Sequence, residues 1–138
     1  MKQLIVMSAV IVLLLLFPLQ YALEQRNYYD IGQFQKYVYN AKEAARVKGY
    51  FTDQIIDELK AHLLTEFEEI QESEIVIEVT RAPKFRTNTF DEREMIYYKI
   101  GIPLKKLIAA NALLGISDEE NRTYYFIESY APSELVLP

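Results

Sequence analysis

From Leu4 to Leu23 the chain is almost unbroken apolar sequence, interrupted only by Ser8, Pro18 and Gln20. About 20 such residues in an α-helix rise roughly 30 Å, the thickness of the hydrocarbon core of a bilayer. The run therefore fixes the solvent of the N-terminus before any chemistry is considered. Three readings are open: a cleaved secretory signal, a signal anchor, and a helix that leaves the membrane to form the core of a filament. A cleaved signal calls for a shorter apolar stretch and a small-x-small site after it. Here Gln20-Tyr21-Ala22-Leu23-Glu24 follows, and Ala22 has no small residue two places before it. With Lys2 and the amino terminus on the short side, the positive-inside rule places the body of the chain outside the cytoplasm.

The helix has no reason to stop at the lipid boundary. Between Gln20 and Gly49 the single helix-weakening residue is Gly32, and Ile31, Phe34, Val38, Ala41 and Ala45 are spaced 3, 4, 3 and 4 apart. That spacing is a heptad-like seam on one face. The apolar helix is thus expected to continue as an amphipathic helix to about Lys48, roughly 65 Å in all. The seam is expected to bury against the chain's own domain. Pro18, inside this helix, removes one backbone hydrogen bond and is expected to kink or loosen the preceding turn.

Gly49 stands where a left-handed helix cap belongs, with Arg46 and Lys48 in the last turn to suit the helix dipole. Thr52 or Asp53 then caps a second helix with the apolar face Ile55, Ile56, Leu59, Leu63, Phe67 and Ile70. Ile75 to Thr80 is β-branched and reads as a strand. Ala82-Pro83 and Thr87-Asn88-Thr89 mark a polar connection. A second strand is expected from about Met95 to Ile102, with Met95, Tyr97, Lys99 and Gly101 alternating against Ile96, Tyr98, Ile100 and Ile102, and Pro103 ending it. Leu104 to Leu114 is ambiguous; its Leu and Ala content favours a short helix closed by Gly115. A third strand is expected at about Thr123 to Tyr130, before an extended tail. Helices and strands come in runs rather than in alternation, so the fold class is α+β with a small antiparallel sheet. The organisation is a filament-core or transmembrane helix over 1–24, its amphipathic continuation over 25–48, and a small extracytoplasmic domain over 49–138.

Chemistry is sparse. The net charge is −5 and no Lys/Arg run occupies one face, which argues against nucleic acid. Cysteine is absent, so there is neither a disulfide framework nor a thiolate metal site. Four glycines make no phosphate loop, and the serines lie in no nucleophile elbow. His62, the single histidine, reads as a helix-surface residue. The carboxylates Glu66 to Glu74 and Asp118-Glu119-Glu120 read as solvated surface rather than a cation site. Asn121-Arg122-Thr123 formally fits a glycosylation acceptor. Eleven tyrosines include Tyr21 and Tyr28 at the end of the apolar run, where an interfacial belt would sit. No enzyme, cofactor, metal or small-molecule substrate is expected.

An apolar N-terminal helix with an amphipathic continuation and a small α+β domain resembles a type IV pilin-like subunit. More narrowly, Asn40-Ala41-Lys42-Glu43-Ala44-Ala45-Arg46, then Gly49, a second amphipathic helix and the strand Ile75 to Thr80, resemble the TadE-like minor pilins (pseudopilins) of tight-adherence pili. The likeness spans roughly Leu4 to Thr80. It implies a structural subunit held in the membrane before assembly, then self-associating into a homopolymer. Its filament-core positions would be Leu4, Ile5, Val6, Val10, Ile11, Leu13, Leu14, Leu16, Phe17 and Pro18. Members commonly carry Glu at the fifth mature position; Ile5 stands here, so filament register would rest on apolar packing. The alternative, of another class, is a single-pass accessory of a secretion or conjugation machine acting as a protein-binding module.

Overall fold

The computed structural model describes residues 1–86 and 94–136. The polar connection at Thr87-Asn88-Thr89 lies outside the described residues. Helix α1 runs unbroken through Lys2–Lys48, past Pro18 and Gly32. Helix α2 (Asp53–Glu66) follows, then strands β1 (Val76–Val79), β2 (Met95–Leu104) and β3 (Thr123–Pro132), with short 3-10 turns at Glu72–Glu74 and Asn111–Leu114. The strands form one antiparallel sheet in the order β1-β2-β3. The fold is α+β.

The chain divides into two compact units. One comprises Met1–Asp30 with Leu104–Thr123, the other Ile31–Pro103 with Tyr124–Pro138. The second holds the hydrophobic core. Phe34, Val38, Ala41 and Ala45 of α1 are buried there, three or four residues apart on one helix face, while Ile31 is half-buried. Phe34 meets Tyr125 of β3 edge-on at 5.9 Å between ring centroids. From α2, Ile55, Ile56, Leu59 and Leu63 are buried; Phe67 and Ile70 are buried beyond the end of that helix.

Sheet register follows the period-two pattern. Ile77 pairs with Ile100 and Val79 with Tyr98, so Ile96, Tyr98, Ile100 and Ile102 all turn inward and are buried. The alternate residues Tyr97, Lys99 and Gly101 face outward, with Glu78 opposite Lys99. Strand β2 continues through Pro103 to Leu104 instead of ending at Ile102. Its ladder with β1 ends at the Val76–Gly101 pair, so the N–H that Pro103 lacks leaves no bond to β1 unmade.

The caps explain where the helices stop. Gly49 has φ +85° and its N–H donates to the Ala45 carbonyl. A Cβ there would lie 2.6 Å from the Lys84 carbonyl oxygen, so both conformation and space require glycine. The Thr52 hydroxyl accepts from the Ile55 N–H at 3.2 Å and starts α2. The end of α1 is tied to the C-terminal tail. Arg46 donates to the Pro132 carbonyl at 3.0 Å and pairs with Glu43 at 3.0 Å and Glu134 at 2.6 Å, and Arg86 also reaches Glu134. Hydrogen bonds from Lys42 and Arg46 hold the Glu43 carboxyl below its ordinary range, and Glu43 in turn holds Arg46 in its charged form.

One expectation needs correction. Leu104 to Leu114 is not a short helix: Leu104 ends β2, the chain from Lys105 to Ala110 is irregular, and only Asn111–Leu114 makes a 3-10 turn. The N–H groups a helix would have used are bound by side chains. The Asn121 side-chain oxygen accepts from Leu107 at 3.2 Å and from Ile108 at 2.7 Å, and that of Gln20 accepts from Ala109 at 2.8 Å. Ala110, at φ +54°, then turns the chain. Gly115 does act as the left-handed cap, at φ +73°.

Candidate functional site

The apolar half of α1 is the candidate site. From Leu4 to Leu19 every large apolar side chain except Leu16 is exposed, from 48% at Val10 to 75% at Phe17. Leu4, Ile5, Val6, Val10, Ile11, Leu13, Leu14, Phe17 and Pro18 thus all face outward, and Leu16 is half-buried. Burying one such side chain fully is worth about 1.5–3 kcal/mol, so together these half- to three-quarters-exposed side chains favour an apolar environment by on the order of 10–20 kcal/mol. This helix is long and apolar enough to cross a membrane. A helix satisfies its backbone polar groups internally, as a bilayer demands; Pro18, which has no N–H, is the one break in that ladder inside the run. The one hydroxyl in the run follows suit: Ser8 Oγ donates to the Leu4 carbonyl at 2.8 Å.

Where the apolar run ends, α1 turns polar on one face. Leu16, Gln20, Leu23 and Asn27 are half-buried at spacings of 4, 3 and 4, a stripe within the first unit. Gln20 uses both ends of its amide: Nε2 donates to the Leu107 carbonyl at 2.8 Å, and Oε1 accepts from Ala109. Asn27 Nδ2 donates to the Lys106 carbonyl at 2.8 Å. Asn121, only 2% exposed, closes the base of the same loop, with Nδ2 donating to the Ile108 carbonyl at 3.0 Å. In the folded chain the Asn121 amide of the Asn121-Arg122-Thr123 pattern is thus buried and hydrogen-bonded through both its oxygen and its nitrogen. These three amides are the positions that sequence reasoning missed. Their one trace in the sequence is Gln20 and Asn27 set seven apart, on one helix face, directly after an apolar run.

The remaining candidates resolve as surface. His62 is exposed and stacked on Tyr37, with ring centroids 5.2 Å apart. Asp118 accepts from Asn111 Nδ2 at 2.9 Å, and Glu120 accepts from the Ser117 N–H, so two carboxylates of the second acidic cluster order their own loop. Among the described residues no three His, Asp or Glu side chains gather as a cation site would require.

The outward face of the sheet is aromatic. Phe126 lies over Gly101, where a Cβ would come within 2.3 Å of its ring, and Lys99 Nζ sits 5.0 Å from the ring centroid. Tyr124 stacks on Phe126 at 5.6 Å, and Tyr97 and Tyr130 are 5.2 Å apart. The Tyr97 hydroxyl donates to Glu128 at 2.8 Å, and that carboxylate pushes the phenol up to about 12.

No family model, curated protein or solved structure matches this chain.

Proposed function

We propose that the chain is a structural, pilin-like subunit of the TadE-like kind. It is held in a membrane by the apolar half of α1, with its C-terminal part outside the cytoplasm. It then assembles into a surface filament, or caps one, by bundling that half with the same segment of other copies. The observation that carries this reading is the division of labour along one unbroken helix. Its second half supplies Phe34, Val38, Ala41 and Ala45 to a core, while its first half turns nearly every apolar side chain outward. Leaving lipid for a bundle of like helices gains little hydrophobic energy, so close packing at small residues must drive it. Ser8 and Ala9 are adjacent small residues in the exposed run. The role involves self-association and no turnover.

Electron microscopy of sheared cell-surface material tests the reading directly: the chain is expected in filaments. Replacing Ala9 with Phe should reduce filament yield while membrane recovery of the chain stays unchanged. Recovery as a detergent-solubilised monomer, with no filaments under any condition, would sink it. A second reading, a single-pass accessory that binds another protein, is favoured by the exposed aromatic face built from Tyr97, Tyr124, Phe126 and Tyr130, since tyrosine brings large contact area at low entropic cost. That reading expects a stable complex lost on Phe126→Ser, and indifference to Ala9→Phe.

A further inference from the structure

We propose that the loop between Lys105 and Asn121 is a second membrane contact, laying Leu113 and Leu114 into the headgroup–acyl boundary beside the point where α1 leaves the bilayer. This inference rests on the reading of α1 as a membrane-inserted helix, and adds an element that the apolar run alone does not contain.

Position is the first argument. The loop is fastened to α1 at two levels: Lys106 by Asn27, and Leu107 with Ala109 by Gln20. Seven helical residues separate these levels, about 10 Å of rise. The chain therefore descends along α1 toward its apolar end as it enters the tip. Gln20 directly follows Leu19, the last large exposed aliphatic residue of the run, so the tip starts close to the lipid boundary. Tyr21, Tyr28 and Tyr29 are exposed over the same stretch of α1, where an aromatic belt would lie.

The second argument is what the tip does with its side chains. It is a shaped turn, not a slack one. Ala110 and Gly115 are both left-handed, Asn111 Nδ2 donates to the Ile116 carbonyl, and Ser117 and Glu120 bond each other reciprocally. These bonds hold the turn in shape, and on it Leu113 is 74% and Leu114 is 54% exposed. A scattered exposed leucine means little, but an adjacent pair on a braced turn, in the same compact unit as the apolar run, offers a second apolar contact beside that run.

Charge selects the surface. Asp118, Glu119 and Glu120 are exposed on the tip itself and would be repelled by anionic headgroups, and they outnumber Lys105 and Lys106 at the foot of the loop. The occupant is therefore a zwitterionic leaflet, entered by apolar insertion that salt does not screen.

The absence of cysteine makes the test clean. The full chain is reconstituted in phosphatidylcholine vesicles as single-cysteine variants carrying an environment-sensitive dye: Leu113→Cys, Val12→Cys as the deep reference, and Asp57→Cys as the aqueous one. Shallow brominated lipid is expected to quench the Leu113 site several-fold more than the Asp57 site, and 0.5 M salt (about five times the ionic strength at which the Debye length is ~10 Å) should leave that quenching unchanged. Deep quenching at Val12 with Leu113 as water-accessible as Asp57 would overturn the loop contact and leave the helix reading standing. Water access at Val12 would overturn both. Protection of Leu113 that tracks protein density and ignores brominated lipid would assign the tip to a second copy instead.

Discussion

Gly49 shows how much a single residue decides. It ends the 47-residue α1, takes φ +85°, and accepts the Lys84 N–H on its carbonyl at 2.8 Å. In Gly49→Ala the new methyl meets two neighbours, Leu135 and the Lys84 carbonyl oxygen. The leucine can rotate away; the carbonyl moves only with the backbone that carries the Lys84 hydrogen bond. Strain in the left-handed region and that displacement together should cost about 2–3 kcal/mol, seen as a lower denaturation midpoint of the full chain in detergent. Tyr97 offers a milder test, on the pH axis. Its hydroxyl must stay protonated to donate to Glu128, so its folded pKa is raised from the ordinary 10.0 to about 12. The sign follows: the pair favours the fold fully below pH 10, and that contribution is lost as pH rises through 12. Both groups are exposed, so the gain is small and salt-screened. Glu128→Gln should bring the Tyr97 titration, followed by absorbance against Tyr97→Phe, back toward 10.

Among the elements, those governed by local periodicity are legible in the sequence and those governed by distant side chains are not. Phe34, Val38, Ala41 and Ala45 repeat at helical spacing, and Ile96, Tyr98, Ile100 and Ile102 alternate at strand spacing; both sets are buried on the face their period implies. Gly49 and Thr52 stop and start helices through bonds made within a few residues. Leu104 to Leu114 is different. Its composition favours helix, but the acceptor that takes the Ala109 N–H belongs to Gln20, 89 residues away, and the acceptor for Leu107 and Ile108 belongs to Asn121. Helix propensity amounts to a few tenths of a kcal/mol per residue, less than one good hydrogen bond to a preplaced amide. The candidate site divides in the same way. Its apolar run is read off directly, whereas the Gln20 and Asn27 amides gain their meaning only from the loop that they hold.

At the scale of the whole molecule, the two units draw on different parts of α1, and their stabilities should separate accordingly. Every α1 side chain buried in the larger core lies at Phe34 or beyond. On the α1 side, Gln20 and Asn27 hydrogen-bond to the 105–110 loop. A chain beginning at Tyr28 therefore keeps its core contacts and should still unfold cooperatively, as one transition by near- and far-ultraviolet circular dichroism. Its loop loses the bonds to both amides, and the Ala109 amide should exchange with solvent at close to the rate of an unprotected peptide. Leu107 and Ile108 retain Asn121 as acceptor and should stay partly protected, which distinguishes loss of docking from collapse of the loop. In the full chain, Gln20→Ala should reproduce the Ala109 effect alone, with Asn27 still holding Lys106. A truncated chain without a cooperative transition would mean that the apolar half of α1 stabilises the larger core as well. The two halves of the helix would then be one folding unit, and the separation of assembly from core that underlies the filament proposal would fail.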